Sequence, residues 1–495
     1  MACACGARHT VCVSERGGMH AFGAGSYGQL GRGWGGQPDS PCPASCLLGH
    51  ALPVVQVAAG DYHTAAVTAG GEVRVCGNNG DGQLGLGDDE SRSALTPLGK
   101  GCFAGARAHM VACGGAHTAV LTDTGAVWTF GAGGNGQLGL GDRRSCSVPA
   151  QVRPEQFRVD PRFKDPRERM VMLAAGRDHT VAQSEEGSVF TWGCGESGRL
   201  GHNDEEDQLS PRRLGRLFAD ATVVYVAAGG GHTLAVSDDG QLWAWGCNKH
   251  GQLGHGSTSN VLVPSLVEGF ARASLVGAAV MMAACGARHS LVLTRDATVW
   301  AAGRGAEGQL GLKRKRDSLV FVCVGADPFR DVRVATVAAG LAHSAAVTED
   351  GGLWTWGRGA TGALGHGDVV EKPVPALVAP ASLADERVGR CRLLPPECAL
   401  AFAMGQHERL GAGSACSAAA LGETELVRKI VHLCRYWPEG SAAGDDGAAR
   451  LIGGGGMRAV KGSATPLGSA SEPFYNSALV ALVDLLDDAS ERASA

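Results

Sequence analysis

Apolar and polar residues alternate along this chain in short runs separated by glycine-rich turns. His232 to Gly246 reads HTLAVSDDGQLWAWG, two alternating runs flanking Asp239-Gly240. A period of two predicts strands with one buried face, and Asp-Gly between them predicts a hairpin whose two turn positions both need positive φ. Gly125 and Gly351 hold the same place in other copies, whereas the sixth copy has Asp296-Ala297 and predicts a turn of another type. Runs such as Val334 to Ala339, just ahead of each copy, add a further strand. Trp243–Trp245 and Trp354–Trp356 are expected to pack between units, on opposite faces of their strands.

Two motifs fix the frame. G-x-x-H-S/T occurs at His9, His63, His117, His179, His232, His289 and His343, at intervals of 54, 54, 62, 53, 57 and 54 residues. A leucine–glycine pair, best seen in WGCNKHGQLGHG, recurs at Gly31, Gly85, Gly139, Gly201, Gly254, Gly311 and Gly365 with the same intervals. Seven in-phase units of about 54 residues, built of short strands with no helix between them, predict an all-β, seven-bladed β-propeller. A closed ring also removes the sheet edges that an open array leaves. Met1 enters the repeat in its middle, and KPVPALV (372–378) with Val388 to Leu394 resembles the lead-in of other units. One blade is therefore expected to combine both chain ends. The propeller is assigned to residues 1–394, a degenerate partial unit and amphipathic helix to 395–438, and a Gly/Ala/Ser linker with a terminal helix to 439–495.

Composition narrows the class. Glycine, at 76 of 495 residues, is about double its usual share without a collagen period, which points to many tight turns. The net charge of −5 argues against nucleic acid as the general partner. MACACGARHT lacks a basic and an apolar leader region, and no run approaches the ~18 apolar residues of a membrane span. The 17 cysteines are then expected as free thiols in a reducing compartment, and the chain as a monomer in cytoplasm or nucleus.

The two motifs resemble the repeat of the regulator-of-chromosome-condensation family over residues 1–394. That family includes the exchange factor for the small GTPase Ran, ubiquitin-ligase subunits and a plant UV-B photoreceptor. GRDHT places Asp178, beside Arg177, where the exchange factor presents an acidic residue, and GCGESGRLG (193–201) also looks like its fourth repeat. The exchange factor's long insertion after that unit is missing here, since the fifth unit follows after 53 residues. In the photoreceptor, light sensing depends on tryptophan where Ala7 and Ala287 stand, so the resemblance does not imply photoreception. It implies a protein-binding propeller that regulates a small GTPase or presents partners to a larger assembly such as a ubiquitin ligase. It implies no covalent chemistry and no cofactor.

Motifs with a chemical look have plainer readings. G-x-G-x-x-G occurs in phase at Gly23–Gly28, Gly131–Gly136, Gly193–Gly198, Gly303–Gly308 and Gly357–Gly362, between strand signals, where a dinucleotide loop would need a following helix. These are turns. One histidine per blade is too dispersed for a metal site, so the seven histidines are expected to tie neighbouring turns together. Cys3, Cys5 and Cys12 cluster without a matching ligand pair. Lys313, Arg314, Lys315 and Arg316 form one basic run: a solvated loop, a nuclear-import signal, or a patch contacting nucleic acid or acidic partners. The excursion from Val152 to Arg169, carrying Glu155, Arg158, Lys164 and Arg167, is the longest internal loop and a candidate partner contact.

Overall fold

The computed structural model describes residues 2–378, apart from 15–16, 34–43, 46–52, 100, 158–167, 216–217, 219–220, 272–278, 326–328 and 330–331. The expected C-terminal elements, the lead-in at 388–394, and Arg158, Lys164 and Arg167 lie outside the described residues. The chain divides into two units, Met1–Ala415 and Cys416–Ala495, and every described residue belongs to the first.

Seven four-stranded antiparallel sheets follow one another along the chain, each a simple meander. The first blade is β1 (Ala2–Cys5), β2 (His9–Val13), β3 (Met19–Gly23) and β4 (Ala44–Ser45). The others span Val54–Pro97, Ala108–Gln151, Met170–Arg213, Val223–Leu266, Val280–Cys323 and Val334–Leu377. Second strands are buried along their whole length, as in His63–Thr68 and His232–Ser237, because both faces meet a neighbouring blade. Outer strands carry Pro149, Pro211, Pro264 and Pro375 at one register position, where a missing N–H suits a sheet edge.

The core lies between blades. Ala65, Val67 and Val75 of blade two pack with Val111, Val120 and Phe130 of blade three, and the other seams repeat this. Trp243 and Trp245 share one face of their strand, as residues two apart must, which corrects the expectation of opposite faces. Phe218 lies against both, its ring 5.5 Å from Trp243 and 6.2 Å from Trp245.

Three further expectations are corrected. Among the described residues each blade is one continuous segment. Ala2–Cys5 is already the inner strand of blade one, and Lys372–Leu377 is the outer strand of blade seven. The ring closes where blade seven meets blade one, with the Leu341 amide donating to Gly6 O at 3.3 Å. The hairpins take positive φ once, at Gly240 (84°), whose amide bonds Ser237 O at 2.9 Å. Ala297 takes φ 66° with the same bond, to Thr294 O at 2.9 Å. The sixth turn is therefore of the same type, held by Asp296, which accepts from Thr294 Oγ1 and the Thr298 amide as Asp239 accepts from Ser237 Oγ and the Gln241 amide.

Candidate functional site

In each meander the loops after strands one and three emerge at one end, and the hairpin and interblade connections at the other. The glycine–histidine loops and the tryptophan–glycine loops therefore share one face of the ring.

Beneath that face runs a closed belt of hydrogen bonds. His9 reaches Thr64 at 2.9 Å, His63 Thr118 at 3.0 Å, His117 Thr180 at 2.9 Å and His179 Thr233 at 3.0 Å. His232 reaches Ser290 at 2.9 Å, His289 Ser344 at 3.0 Å and His343 Thr10 at 3.0 Å. Each hydroxyl spends its own proton on a carbonyl of the adjoining blade, as Thr64 does on Gln29 O at 2.7 Å. The imidazole Nε2–H must therefore be the donor in every seam. In six of the seven rings Nδ1 is buried with no partner among the described residues. Burial is the main force against charging: His9, His117, His232 and His289 are lowered to about 3, and His63 and His343 to about 4. His179 also falls well below the ordinary value, by burial and then by the nearby Arg199.

The glycine three residues before each histidine is required by close approach. A Cβ on Gly60 would overlap His63 Cε1 and the Gly114 carbonyl of the next blade, and this holds from Gly6 around to Gly340, which abuts Gly6. The glycines form a neck around the ring axis. Above it opens a cavity of about 610 Å³.

Its lining is unevenly charged. Arg177, Arg199, Lys249, Arg288, Arg304 and Arg358 face only three carboxylates, Asp61, Glu196 and Glu307. Arg177 Nε lies 3.9 Å from both Asp61 and Asp178. Burial raises the Asp61 carboxyl above its ordinary value despite Arg177, and Asp178 adds to the rise. Arg199 is 7% exposed and pairs with Glu196 at 3.1 Å. Lys249, Arg288 and Arg358 are exposed and have no ion pair among the described residues. Cys113 also lines the wall, where burial pushes its thiol up to about 12.

The sequence candidates divide between the two faces. Arg177 and Asp178 stand on the cavity face, and so do Lys313 to Arg316, in the loop between Val299–Gly303 and Ser318–Cys323. Lys313 has φ 62°, and Lys315 pairs with Glu371. Glu155 lies in the short 3₁₀ turn Pro154–Phe157 on the opposite face, so it cannot act together with Asp178. The seven histidines are committed to seams rather than to a ligand. Arg199, Lys249, Arg288, Arg304 and Arg358 were missed by motif reading. Aligning the units by column exposes them: Arg288 occupies the place of Asp178, and Arg304 and Arg358 both follow the tryptophan–glycine strand directly.

Comparisons with known proteins agree with this geometry. The chain is 38% identical over 314 residues to the ultraviolet-B receptor UVR8 of Arabidopsis thaliana, 63% of this chain and 67% of that protein. It is 33% identical over 383 residues to the human E3 ubiquitin-protein ligase HERC2, 77% of this chain but only 8% of the ligase. Among solved structures it resembles Prp20p of Saccharomyces cerevisiae, described with its binding properties to Gsp1p and histones, at TM-score 0.62 and 25% identity over 74% of this chain and 87% of that one. The profile of the RCC1-like domain matches residues 21–394, and the chain belongs to that family.

Proposed function

We propose that the chain is a protein-binding propeller that regulates a small GTPase through its cavity face. The observation that carries this is the cluster of Arg177 with Asp61 and Asp178 at the cavity mouth, in the unit whose acidic loop resembles the exchange factor's. The likeness to Prp20p, described as binding Gsp1p and histones, supports the same class of partner. An exchange activity of this kind needs no covalent chemistry, only tighter binding to the nucleotide-free partner. Affinity capture from native extract with the full chain and with Asp178→Ala is the test, joined to nucleotide release from a panel of small GTPases. Capture of a GTPase by the native chain alone, with accelerated release, is the expected result. A partner set that the substitution leaves unchanged, with no release, defeats the exchange reading.

The 383-residue match to HERC2 favours a second reading, an adaptor that presents partners to a larger assembly. Unchanged partners after removal of residues 395–495 would defeat it. Entry to the nucleus is proposed to depend on the exposed Lys313–Arg316 run, and a fluorescent fusion of the full chain bearing Arg314→Ala and Arg316→Ala is expected to stay in the cytoplasm.

A further inference from the structure

We infer that the axial cavity receives a short acidic segment of a partner protein, drawn in by a cationic arc on blades five, six and seven. The inference rests on the cavity face being the interaction face. It adds which chemistry enters the cavity and from which side.

Lys249 belongs to blade five, Arg288 and Arg304 to blade six and Arg358 to blade seven, so the cations stand side by side around nearly half the mouth. Three are exposed and unpaired among the described residues, and Arg304 has only Glu307 at 3.8 Å. Unpaired cations gathered around a concavity focus an attractive field there. The neck below offers little recognition of its own, because its backbone amides are spent between blades: Ala7 N on Gly60 O at 3.3 Å, Arg177 N on Gly229 O and Gly230 N on Gly286 O at 3.1 Å. Selectivity therefore falls to the side chains of the arc.

The opposite side of the same face excludes a long polyanion. Asp81, Asp89 and Glu90 of blade two are exposed on it, and the neighbouring Arg143 and Arg144 of blade three are paired with Asp207 and Asp142. A nucleic-acid duplex laid across the face would set phosphates against these carboxylates, whereas a short acidic peptide seated at the arc meets four cations, with Glu307 the one cavity carboxylate on blades five to seven. The split also fixes position, since an acidic segment displaced toward blade two would meet like charge.

The test measures fluorescence anisotropy of a labelled octa-glutamate peptide with the full chain, beside an octa-lysine peptide and a short DNA duplex. The native chain is expected to bind the acidic peptide alone. The triple variant Lys249→Glu, Arg288→Glu, Arg358→Glu is expected to weaken it by about tenfold or more, and raised salt to weaken it as well. Arg314→Glu with Arg316→Glu, on the same face but outside the cavity, is expected to leave it unchanged. No acidic-peptide binding, equal loss in the outer-loop variant, or preferential binding of the duplex would each overturn the inference. Peptide binding without any captured GTPase removes the exchange reading and leaves this one standing. A GTPase captured equally well by the triple variant does the reverse.

Discussion

His343 donates its Nε2 proton to Thr10 at 3.0 Å across 333 residues of sequence, and this bond closes the belt that the other six seams repeat. Thr10 passes its own proton to Ala363 O at 2.7 Å, so histidine, hydroxyl and carbonyl form one directed chain between blades. The arrangement works only while the imidazole is neutral. A second proton would sit on a buried Nδ1 that faces no acceptor in six of the seven seams.

Acid is therefore expected to unfold the ring cooperatively. The folded-state values, about 3 to 4 for six rings, lie below the ordinary 6.5, so the unfolded chain binds protons that the folded one refuses. Stability is then complete above about pH 6.5 and falls as pH drops, by about 1.4 kcal/mol per pH unit for each seam. Circular dichroism across an acid titration checks this. A proton uptake of only one or two on unfolding would contradict the belt.

Backbone strain can be released at two places. Ala297 at φ 66° and Lys313 at φ 62° stand where sister units have Gly240 and Gly256, at 84° and 80°. Ala297→Gly and Lys313→Gly are each expected to raise stability by about 0.5–1 kcal/mol, the relief of left-handed strain less the added freedom of the unfolded glycine. Urea titration reads the change, and a loss of stability at both sites would refute the argument.

The neck glycines tolerate no side chain. Gly60→Ala is expected to cost about 3 kcal/mol or more, because the new methyl meets the His63 ring and the Gly114 backbone. Gly99→Ala, which meets nothing within 4 Å, is the control and is expected to be neutral or mildly stabilising. Equal effects at the two positions would show that the close approach is not the cause.

Trp245 is anchored twice, by burial and by an indole bond to Arg199 O at 3.0 Å. Phe22 and Phe130 fill the same column in other blades, each against a glycine as Trp245 is against Gly201. Trp245→Phe is expected to cost about 1–2 kcal/mol and Trp245→Ala about 3–5 kcal/mol. Thermal denaturation separates the two.

The ring was legible because each blade repeats one solution to one steric problem, so the glycine and histidine columns recur in phase. The closure was misread for physical reasons. Ala2–Cys5 has only small residues and gives no strand signal, while the Val and Leu of KPVPAL imitate an inner strand although Pro373 and Pro375 mark an edge. The turn at Ala297 was misread because a missing glycine was taken as a different conformation, when Asp296 holds the same one under strain. The cations of the cavity were invisible to motif reading, since each sits in a variable column and they meet only when the ring closes.

The seam between blades seven and one is built like the six that the chain spans covalently. Its histidine bond, its glycine contact and its core cluster of Cys12, Phe22, Ala345 and Val347 are the same devices. The place where the polypeptide begins is therefore arbitrary to the fold. Rejoining the ends and opening the chain in another interblade connection preserves every contact of the circle, whereas deleting one whole unit leaves a gap that no remaining pair can span.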